Sequence, residues 1–269
     1  MAITRPISPR RTVIQAAATA FANSGFPALK MCPYPGLNCY ACPLASVACP
    51  LGSLQNFFVL RQIPYALTGL FLAVGAAFGR AVCGWVCPFG FLQDILARIG
   101  PRRKRLRTQR GSWLRYVVLV GVAGLATYAV GAPLFCKLCP AGTLQAGIPQ
   151  VILRPGLRGL IGALYWAKLA ILAAFFVAAL LVKRPFCRFV CPLGAIYSPF
   201  NRISLMQLSV DRTACTQCNA CKHVCPVDLC VYQDPGSDSC IRCLECTRCP
   251  AVKVSWRGKA VSEPATLTQ

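Results

Sequence analysis

The pattern that most constrains the fold of this chain is a pair of dense cysteine runs near its C-terminal end. The first run is DRTACTQCNACKHVCPVD and the second is SCIRCLECTRCPAV. Each run holds four cysteines at short intervals and closes with Cys-Pro. So many thiols in so short a stretch are typical of a segment that folds around metal.

The spacing of the first run is the C-x2-C-x2-C-x3-C-P pattern that binds 4Fe-4S clusters in bacterial ferredoxins, where the fourth cysteine of each run ligates the other cluster. The predicted first ferredoxin site is therefore Cys215, Cys218, Cys221 and Cys249. The predicted second ferredoxin site is Cys240, Cys243, Cys246 and Cys225. Zinc ribbons, the alternative, use longer spacers and often recruit His, but the chain has a single His. We expect two 4Fe-4S clusters in an α+β ferredoxin-like domain over residues 201–257, followed by a tail at 258–269.

The remainder of the chain is unusually apolar, since hydrophobic residues make up 56% of the whole and charged residues 13%. Four windows, at residues 11–30, 61–80, 115–137 and 158–183, are long enough to span a bilayer, which takes about 20 apolar residues. The first is rich in Ala, and a signal peptide is its alternative interpretation. The sequence predicts a mostly α integral membrane protein with four transmembrane helices in residues 1–200.

The distribution of Lys and Arg predicts the orientation. Basic residues concentrate in the N-terminal tail and in the loop after the second window, which contains PRRKRLRTQR. By the positive-inside rule, this loop and both termini are cytoplasmic, and the first and third loops are outside. The net charge of +22 does not predict nucleic-acid binding, because this basic run has no interleaved aromatic residues and lies between two spans. We expect a multi-pass protein of the cytoplasmic membrane.

A Cys-Pro-x-Gly motif recurs near the ends of the apolar windows. It reads CPLGSLQ from Cys49, CPFGFLQ from Cys87, CPAGTLQ from Cys139 and CPLGAIY from Cys191. On the cytoplasmic side, the motifs extend to CGWVCP and CRFVCP, which add Cys83 and Cys187. Two cysteines at i, i+4 share a helix face, so each pair can present two thiolates to one metal centre. We call Cys83, Cys87, Cys187 and Cys191 the inner site.

Six further cysteines are predicted on the outer side: Cys32, Cys39, Cys42, Cys49, Cys136 and Cys139. The CPxGxxQ repeat aligns Cys49 with Cys139, whereas the CxxCP spacing aligns Cys42 with Cys139. The sequence predicts an outer metal site made by four of these six and leaves the choice open. A disulfide between the two left over is compatible with an oxidising compartment.

The order of parts, span, outer cysteines, span, inner cysteines, occurs twice in the same orientation. This order predicts a parallel repeat of two helices related by an axis along the membrane normal. Such an axis brings like ends together. We therefore expect the two inner pairs to lie beside each other, and the outer pairs likewise.

The sequence lacks the residues that haem binding, proton or ion transport and nucleotide binding would require. A single His and the absence of C-x-x-C-H exclude multi-haem and covalent haem sites, and no acidic residue lies in a window, which argues against a proton pump or an ion-coupled transporter. No dinucleotide or phosphate-loop fingerprint is present. Asp94, at the inner membrane edge, is a candidate proton acceptor for quinol oxidation, with a surface charge or helix cap as its alternative.

The combination of CGWVCP and CRFVCP, each closing a span, with a tail of two four-cysteine runs resembles the NapH/MauN family of membrane polyferredoxins. The C-terminal parts of NosR and the CcoG proteins share this plan. The resemblance implies four spans, cytoplasmic C-x3-C-P motifs, and electron supply, often from quinol, to periplasmic redox enzymes or maturation systems. It places the inner site and the eight ferredoxin cysteines on family motifs, whereas the outer cysteines depart from the two-motif pattern.

These observations predict a membrane iron-sulfur electron-transfer protein that relays electrons between its cytoplasmic ferredoxin clusters and a quinone pool or an outer redox partner. Two alternatives remain open: a quinol dehydrogenase subunit with structural outer cysteines, and a copper reductase or assembly factor whose outer thiolates bind Cu(I). Two 4Fe-4S clusters, one or two further clusters at the membrane faces, and quinone are the candidate cofactors. The predicted partners are redox proteins on one or both sides of the membrane.

Overall fold

The computed structural model describes residues 8–100 and 111–257 as a mainly helical fold with one small sheet. The predicted tail at 258–269 and the basic run at 101–110 lie outside the described residues. The α-helices are α1 (Pro9–Ala22), α2 (Pro50–Val59), α3 (Tyr65–Phe78), α4 (Ala81–Trp85), α5 (Pro88–Ile99), α6 (Leu114–Val117), α7 (Thr127–Val130), α8 (Leu134–Leu138), α9 (Pro140–Gly142), α10 (Ile148–Leu153), α11 (Ala163–Leu181), α12 (Pro192–Tyr197) and α13 (Ala220–Val224). Wider π-helical turns cover Val118–Ala126, Thr143–Gly147 and Phe186–Val190, and tighter 3-10 turns cover Pro27–Leu29, Pro155–Leu160, Pro199–Arg202 and Glu245–Arg248. The strands are β1 (Met206–Val210) and β2 (Val252–Trp256).

The four apolar windows give helices of unequal length. Among the described residues, only α11, with 19 residues, is long and apolar enough to cross a membrane. Two other windows form shorter apolar helices, α3 and the continuous helix Leu114–Val130. The first window forms α1. The structure thus supports a helical fold with one clear candidate span, and the other three predicted spans are not confirmed.

A glycine follows the last residue of two of these helices, but only Gly131 stops its helix well before the end of the window, at residue 137; α3 is short because it begins only after Pro64. Gly79, with φ of 59°, ends α3, and Gly131, with φ of 67°, ends the helix Leu114–Val130. Both angles lie in the left-handed region that glycine adopts without a Cβ penalty, which is a common way to end a helix. A count of apolar residues does not register such a stop.

Helix α1 packs on α4 and α5 through polar side chains. Its Arg11 and Gln15 are almost fully buried, and both donate to the carbonyl oxygen of Gly84 at 2.9 Å. This buried polar face attaches α1 to the segment that carries the CGWVCP motif.

The helical region consists of two halves, one for each copy of the predicted repeat, and these halves pack against each other. Helix α5, from the first half, packs on α11 of the second, and α12 of the second half packs on α3 of the first. The ring of Phe89 stacks on Phe175 at 4.8 Å and meets Phe186 edge-on at 5.0 Å. This packing holds the two predicted inner cysteine pairs side by side.

The C-terminal segment is closed by an antiparallel pair of strands. Met206 lies opposite Trp256 and Val210 opposite Val252, so β1 and β2 join the two ends of the segment. Both cysteine runs lie in the chain between them, on a small core that includes Leu208 and Val252.

Candidate metal centres

All four Cys-Pro-x-Gly motifs occupy the same structural position, the start of a helical segment. Cys49, Cys87, Cys139 and Cys191 each precede a helix whose first residue is the following proline. Their φ values lie between −67° and −71° and their ψ values between 111° and 121°. Proline suits this position because its missing N–H would have no helical partner there. The motif therefore places a thiol at the amide-rich end of a helix.

The glycine of each motif directs a backbone N–H at the thiol. The nitrogen of Gly194 lies 3.4 Å from the sulfur of Cys191, and the corresponding glycine amides hydrogen-bond to the thiols of the other three motifs. Amides at a helix start favour the thiolate, which is the form that ligates metal. The repeated motif thus places an amide donor where a ligating thiolate would need one.

The four cysteines of the inner site lie together in the structure. Electrostatic interactions join Cys87 to Cys83 and Cys187, and Cys191 to the other three. All four side chains are buried. The juxtaposition expected from the sequence repeat is present, and their assignment as ligands stays a prediction.

Two buried arginines cross between the halves at the inner site. Arg80 donates to the carbonyl oxygen of Cys187, and Arg184 donates to that of Cys83 at 2.6 Å. Each arginine stands three residues before the first cysteine of its own motif, in RAVCGWVCPFG and RPFCRFVCPLG. Our sequence interpretation missed both, although aligning the two motifs reveals the shared R-x2-C-x3-C-P.

The seventh position of each inner motif also faces the partner pair. Gln93, which ends CPFGFLQ, donates its amide to the sulfur of Cys187 at 3.0 Å. Tyr197, which ends CPLGAIY, is fully buried beside Cys83, and its hydroxyl has no hydrogen-bond partner among the described residues. The two halves thus surround the inner site with matched polar groups.

The structure also brings together the four cysteines of the predicted second ferredoxin site. Cys225 interacts electrostatically with Cys240 and Cys243, and Cys246 interacts with all three. These four residues line one small pocket. Burial, with the nearby Cys243 thiol, raises the pKa of Cys240 to about 11.

The two cysteine runs share an unusual backbone. Gln217 and Asn219 in the first run, and Arg242 and Leu244 in the second, have positive φ values of 53°, 58°, 46° and 60°. These residues flank the second cysteine of each run. Left-handed non-glycine residues cost about 1–2 kcal/mol each. Such turns can point successive N–H groups into a concavity that binds anionic Fe–S sites, and the nitrogen of Arg242 lies 3.4 Å from the sulfur of Cys240.

The predicted first ferredoxin site is the more exposed of the two. Cys221 is buried, Cys215 and Cys249 are half-buried, and Cys218 is exposed. Cys221 and Cys249 pack in one apolar cluster, and Tyr232 interacts electrostatically with Cys221 and Cys215. This site faces solvent, whereas the second ferredoxin site faces the helical region.

Asp94, the candidate proton acceptor, is a buried ion-pair partner. Arg184 donates to it at 2.6 and 2.5 Å, and Arg11 donates at 2.5 Å. Burial acts to raise the pKa of Asp94, but the charges and hydrogen bonds of the two arginines outweigh burial and hold the pKa below its usual range. Such a carboxylate is a weak base. Its surroundings favour an anchoring role over the predicted proton transfer.

Arg11 also connects α1 with the second cysteine run. Its Nη1 atom lies 3.5 Å from Oε1 of Glu245, which accepts a hydrogen bond from the Ser8 amide at 3.0 Å. Glu245 pairs on its other oxygen with Arg248 at 2.8 Å. These contacts fix α1, α5 and the second run as one assembly.

Four of the six outer cysteines line a single cavity of about 210 Å³: Cys39, Cys49, Cys136 and Cys139. We call these four the outer group. The sulfur of Cys42 lies away from the cavity, 3.9 Å from Oδ1 of Asn23, and Cys32 is exposed. All six are free thiols.

The chemistry of the cysteine sets fits iron-sulfur clusters, which take thiolate ligands. Within residues 8–100 and 111–257, no group of three or more His, Cys, Asp or Glu side chains is arranged to hold one metal ion. Ligands around a single zinc crowd together because each Zn–S bond is only about 2.3 Å long. A four-iron cluster is larger and keeps its four thiolates apart. Matched cysteine pairs, positive-φ loops and amide-bound thiols are the surroundings that such a cluster requires.

Comparison with known proteins agrees with this chemistry. The sequence matches the family described as "4Fe-4S binding domain" at residues 60–107, 112–158 and 164–209. Each matched segment contains one Cys-Pro motif, at Cys87, Cys139 and Cys191 respectively. No solved structure matches the chain.

Several curated relatives carry ferredoxin-type names. The chain is 28% identical over 217 residues to the ferredoxin-type protein NapH of Escherichia coli, covering 77% of this chain and 67% of that protein. It is 33% identical over 160 residues to the methylamine utilization ferredoxin-type protein MauN of Methylorubrum extorquens, covering 58% and 49%. An uncharacterized protein of Methanocaldococcus jannaschii is 30% identical over 209 residues, covering 74% and 81%.

Proposed function

Because the chain belongs to the NapH/MauN-type family of 4Fe-4S polyferredoxins, we propose that it relays electrons between its two ferredoxin clusters and a further cluster at the inner site. From the inner site, electrons pass to a quinone pool or to an outer redox partner. A bound 4Fe-4S cluster supplies one-electron redox chemistry. The chain's own residues determine which clusters stand close enough to exchange an electron.

The observation that carries this proposal is direct contact between the inner site and the second ferredoxin site. Cys83 packs in one apolar cluster with Cys225 and Cys243. A Cβ added to Gly84 would lie 2.5 Å from the carbonyl oxygen of Ile241 and 3.3 Å from the Cα of Cys243. Only glycine permits this approach, so the two cysteine segments touch through their backbones.

Buried arginines supply positive charge where the two sites meet. Arg184 interacts electrostatically with both Cys187 and Cys243, and Arg80 interacts with Cys187 and Cys240. A cluster with four thiolates is anionic, and two such clusters in contact repel. The arginines offset that repulsion and support one-electron transfer between the two sites.

The two ends of the relay follow from exposure. The first ferredoxin site, with exposed Cys218, suits exchange with a soluble one-electron donor or acceptor. At the other end of the relay, helix α11 has exposed apolar side chains, such as Val177, which is 58% exposed, and Trp166, which is 65% exposed. An apolar surface of this kind favours a lipid environment, in which quinone is soluble. This apolar surface supports a membrane location, and we propose several spans in the cytoplasmic membrane.

Electron transfer into lipid vesicles tests the proposal. Purified protein is reconstituted in vesicles that enclose a one-electron acceptor, and membrane-impermeant dithionite is added outside. We expect the wild type to reduce the enclosed acceptor and Cys83→Ser to reduce it at least tenfold more slowly. Cys230→Ser is the matched control, because Cys230 belongs to none of the predicted sites. A wild type that retains its clusters yet passes no electrons, with or without a lipid-soluble quinone in the vesicle membrane, contradicts the proposal.

Quinol oxidation with Asp94 as proton acceptor is the second candidate function. The ion pairs of Asp94 suggest a variant that tests it. We propose that Asp94 anchors α1 and α5 through Arg11 and Arg184. Asp94→Asn protein that retains its clusters should then oxidise a soluble quinol analogue with an unchanged pH profile. A shifted pH profile with intact clusters assigns the proton transfer to Asp94.

A further inference from the structure

The outer group is built symmetrically from the two halves of the chain. Cys39 and Cys49 come from the first half, and Cys136 and Cys139 come from the second. Electrostatic interactions join Cys136 to the other three, and Cys139 to Cys49 and Cys39. All four face the same cavity of about 210 Å³.

Two glutamines fix this arrangement by crossing between the halves. Gln55, the last residue of CPLGSLQ, accepts a hydrogen bond from the amide of Cys136 at 3.1 Å. Gln145, the last residue of CPAGTLQ, accepts one from the amide of Cys39 at 2.8 Å. Because these two hydrogen bonds are equivalent, Cys39 in the first half corresponds to Cys136 in the second. Cys49 then corresponds to Cys139.

The glycines of the two motifs repeat the same relation. A Cβ added to Gly52 would lie 3.7 Å from the sulfur of Cys136, and one added to Gly142 would lie 3.6 Å from the sulfur of Cys39. The Cys-Pro-x-Gly turn of each half thus packs against the first outer-group cysteine of the other half, which is Cys136 for the turn at Gly52 and Cys39 for the turn at Gly142. The competition between Cys42 and Cys49 is resolved by this symmetry in favour of Cys49.

The cavity indicates what the four thiols surround. A single water needs about 10–15 Å³ of such space. The cavity, at about 210 Å³, is therefore far larger than one bare ion requires. Lys168 also lines the cavity and supplies one positive charge. Thiolate ligands select soft metals and Fe–S clusters over hard cations. We propose that Cys39, Cys49, Cys136 and Cys139 hold a fourth iron-sulfur cluster.

This cluster would lie next to the inner site. The backbone amide of Leu37 hydrogen-bonds to the thiol of Cys87, and the amide of the next residue, Asn38, hydrogen-bonds to the thiol of Cys49. A Cβ added to Gly36 would lie 3.2 Å from the Cα of Cys87. Two consecutive amides therefore link the inner site and the outer group.

This link shortens the distance that an electron has to cross between the inner site and the outer group. Cysteines confined to opposite faces of a bilayer would be about 30 Å apart, whereas here the outer loop reaches down to Cys87. A cluster held by the outer group would supply one-electron redox chemistry, accepting one electron from the inner site and passing it to a one-electron redox protein on the outer side. This role rests on the proposed electron-transfer function, but the ligand set does not.

Iron and acid-labile sulfide counts test the ligand set directly. We expect Cys136→Ser and Cys49→Ser each to lose about four irons and four sulfides per chain relative to wild type. Cys42→Ser is the matched control, since Cys42 is buried nearby but lies outside the cavity, and it should keep the wild-type count. EPR signals of the ferredoxin clusters should persist in all three variants, which separates loss of the outer cluster from misfolding.

A potential measurement provides the second readout. Lys168→Met keeps all four thiols but removes the cavity's positive charge, so it should lower the midpoint potential of one cluster signal and leave the others unchanged. Unchanged iron in both Cys49→Ser and Cys136→Ser, an equal loss in Cys42→Ser, or copper or zinc in place of iron overturns the proposal. These results do not depend on electron transfer, so the proposed function can fail while the outer cluster stands.

Discussion

Gly84 shows how a single residue determines which cysteine segments can meet. It lies between Cys83 and Cys87, yet its nearest neighbours are backbone atoms of the second cysteine run. Backbone atoms cannot turn aside as a flexible side chain can. Any side chain at this position must therefore separate the inner site from Cys243.

Gly84→Ala should destabilise the protein, because its Cβ would meet the Ile241 carbonyl oxygen at 2.5 Å. Forcing a methyl group into a packed region costs about 1–3 kcal/mol. Gly69→Ala is the control, since a Cβ there meets nothing within 4 Å. The midpoint of thermal unfolding in detergent should fall for Gly84→Ala only. Equal midpoints for the two variants would argue against the contact.

Arg184 combines two roles that an exposed arginine does not have. It neutralises buried Asp94 and crosses to the carbonyl of Cys83. Arg184→Met leaves buried Asp94 with Arg11 as its remaining charged partner and removes the hydrogen bond to the Cys83 carbonyl, and breaking a buried ion pair typically costs about 3–5 kcal/mol. Arg202→Met is the control, because its ion pair with Asp238 is 68% and 37% exposed and contributes about 1 kcal/mol at most.

Urea unfolding followed by loss of cluster absorbance measures this difference. The unfolding midpoint of Arg184→Met should shift to a much lower urea concentration, and that of Arg202→Met should stay close to wild type. A small effect for both variants would show that the buried pair does not stabilise the assembly.

At the scale of elements, the Cys-Pro-x-Gly turn is a structural motif that occurs four times with the same local conformation. The residue before its glycine is buried in every copy: Leu51, Phe89, Ala141 and Leu193. The cysteine precedes the helix, the proline begins it, and the glycine amide binds the thiol. One turn therefore orients a ligand and anchors a helix in the core.

The glycines of the inner motifs are predicted to differ in tolerance. A Cβ at Gly90 would meet the carbonyl oxygen of Cys83 at 2.8 Å, whereas a Cβ at Gly194 would meet Nη2 of Arg80 at 2.6 Å. A backbone atom cannot move away but a guanidinium can. Iron analysis should show a larger loss for Gly90→Ala than for Gly194→Ala, and Gly147→Ala, whose nearest atom is 3.8 Å away, should lose none. The reverse order would contradict this description of the turn.

The sequence predicts some elements of the site much better than others. Periodic spacing was sufficient to expect the inner pairs together, because Cys83 and Cys187 begin equivalent motifs. It did not distinguish Cys42 from Cys49, since that choice depends on how the outer loop folds back through Gln55 and Gln145. The buried polar face of α1 was also not foreseen, because the partners of Arg11, which include Asp94 and Glu245, lie far from it in the sequence.

At the scale of the whole molecule, the cysteine sets form a continuous series. The second ferredoxin site touches the inner site through Gly84, and the inner site reaches the outer group through Leu37 and Asn38. Helical packing between the halves provides the symmetry, and α1 fastens the C-terminal runs to it. The arrangement accounts for so many cysteines in a chain that has few other reactive side chains.

The central claim is that the inner site holds a cluster beside the ferredoxin pair. Counting iron and acid-labile sulfide per chain, with EPR of the reduced protein, tests it most directly. The account predicts about sixteen irons in the wild type and about twelve in Cys83→Ser, with the ferredoxin signals retained. About eight irons in the wild type, unchanged in Cys83→Ser, would contradict it.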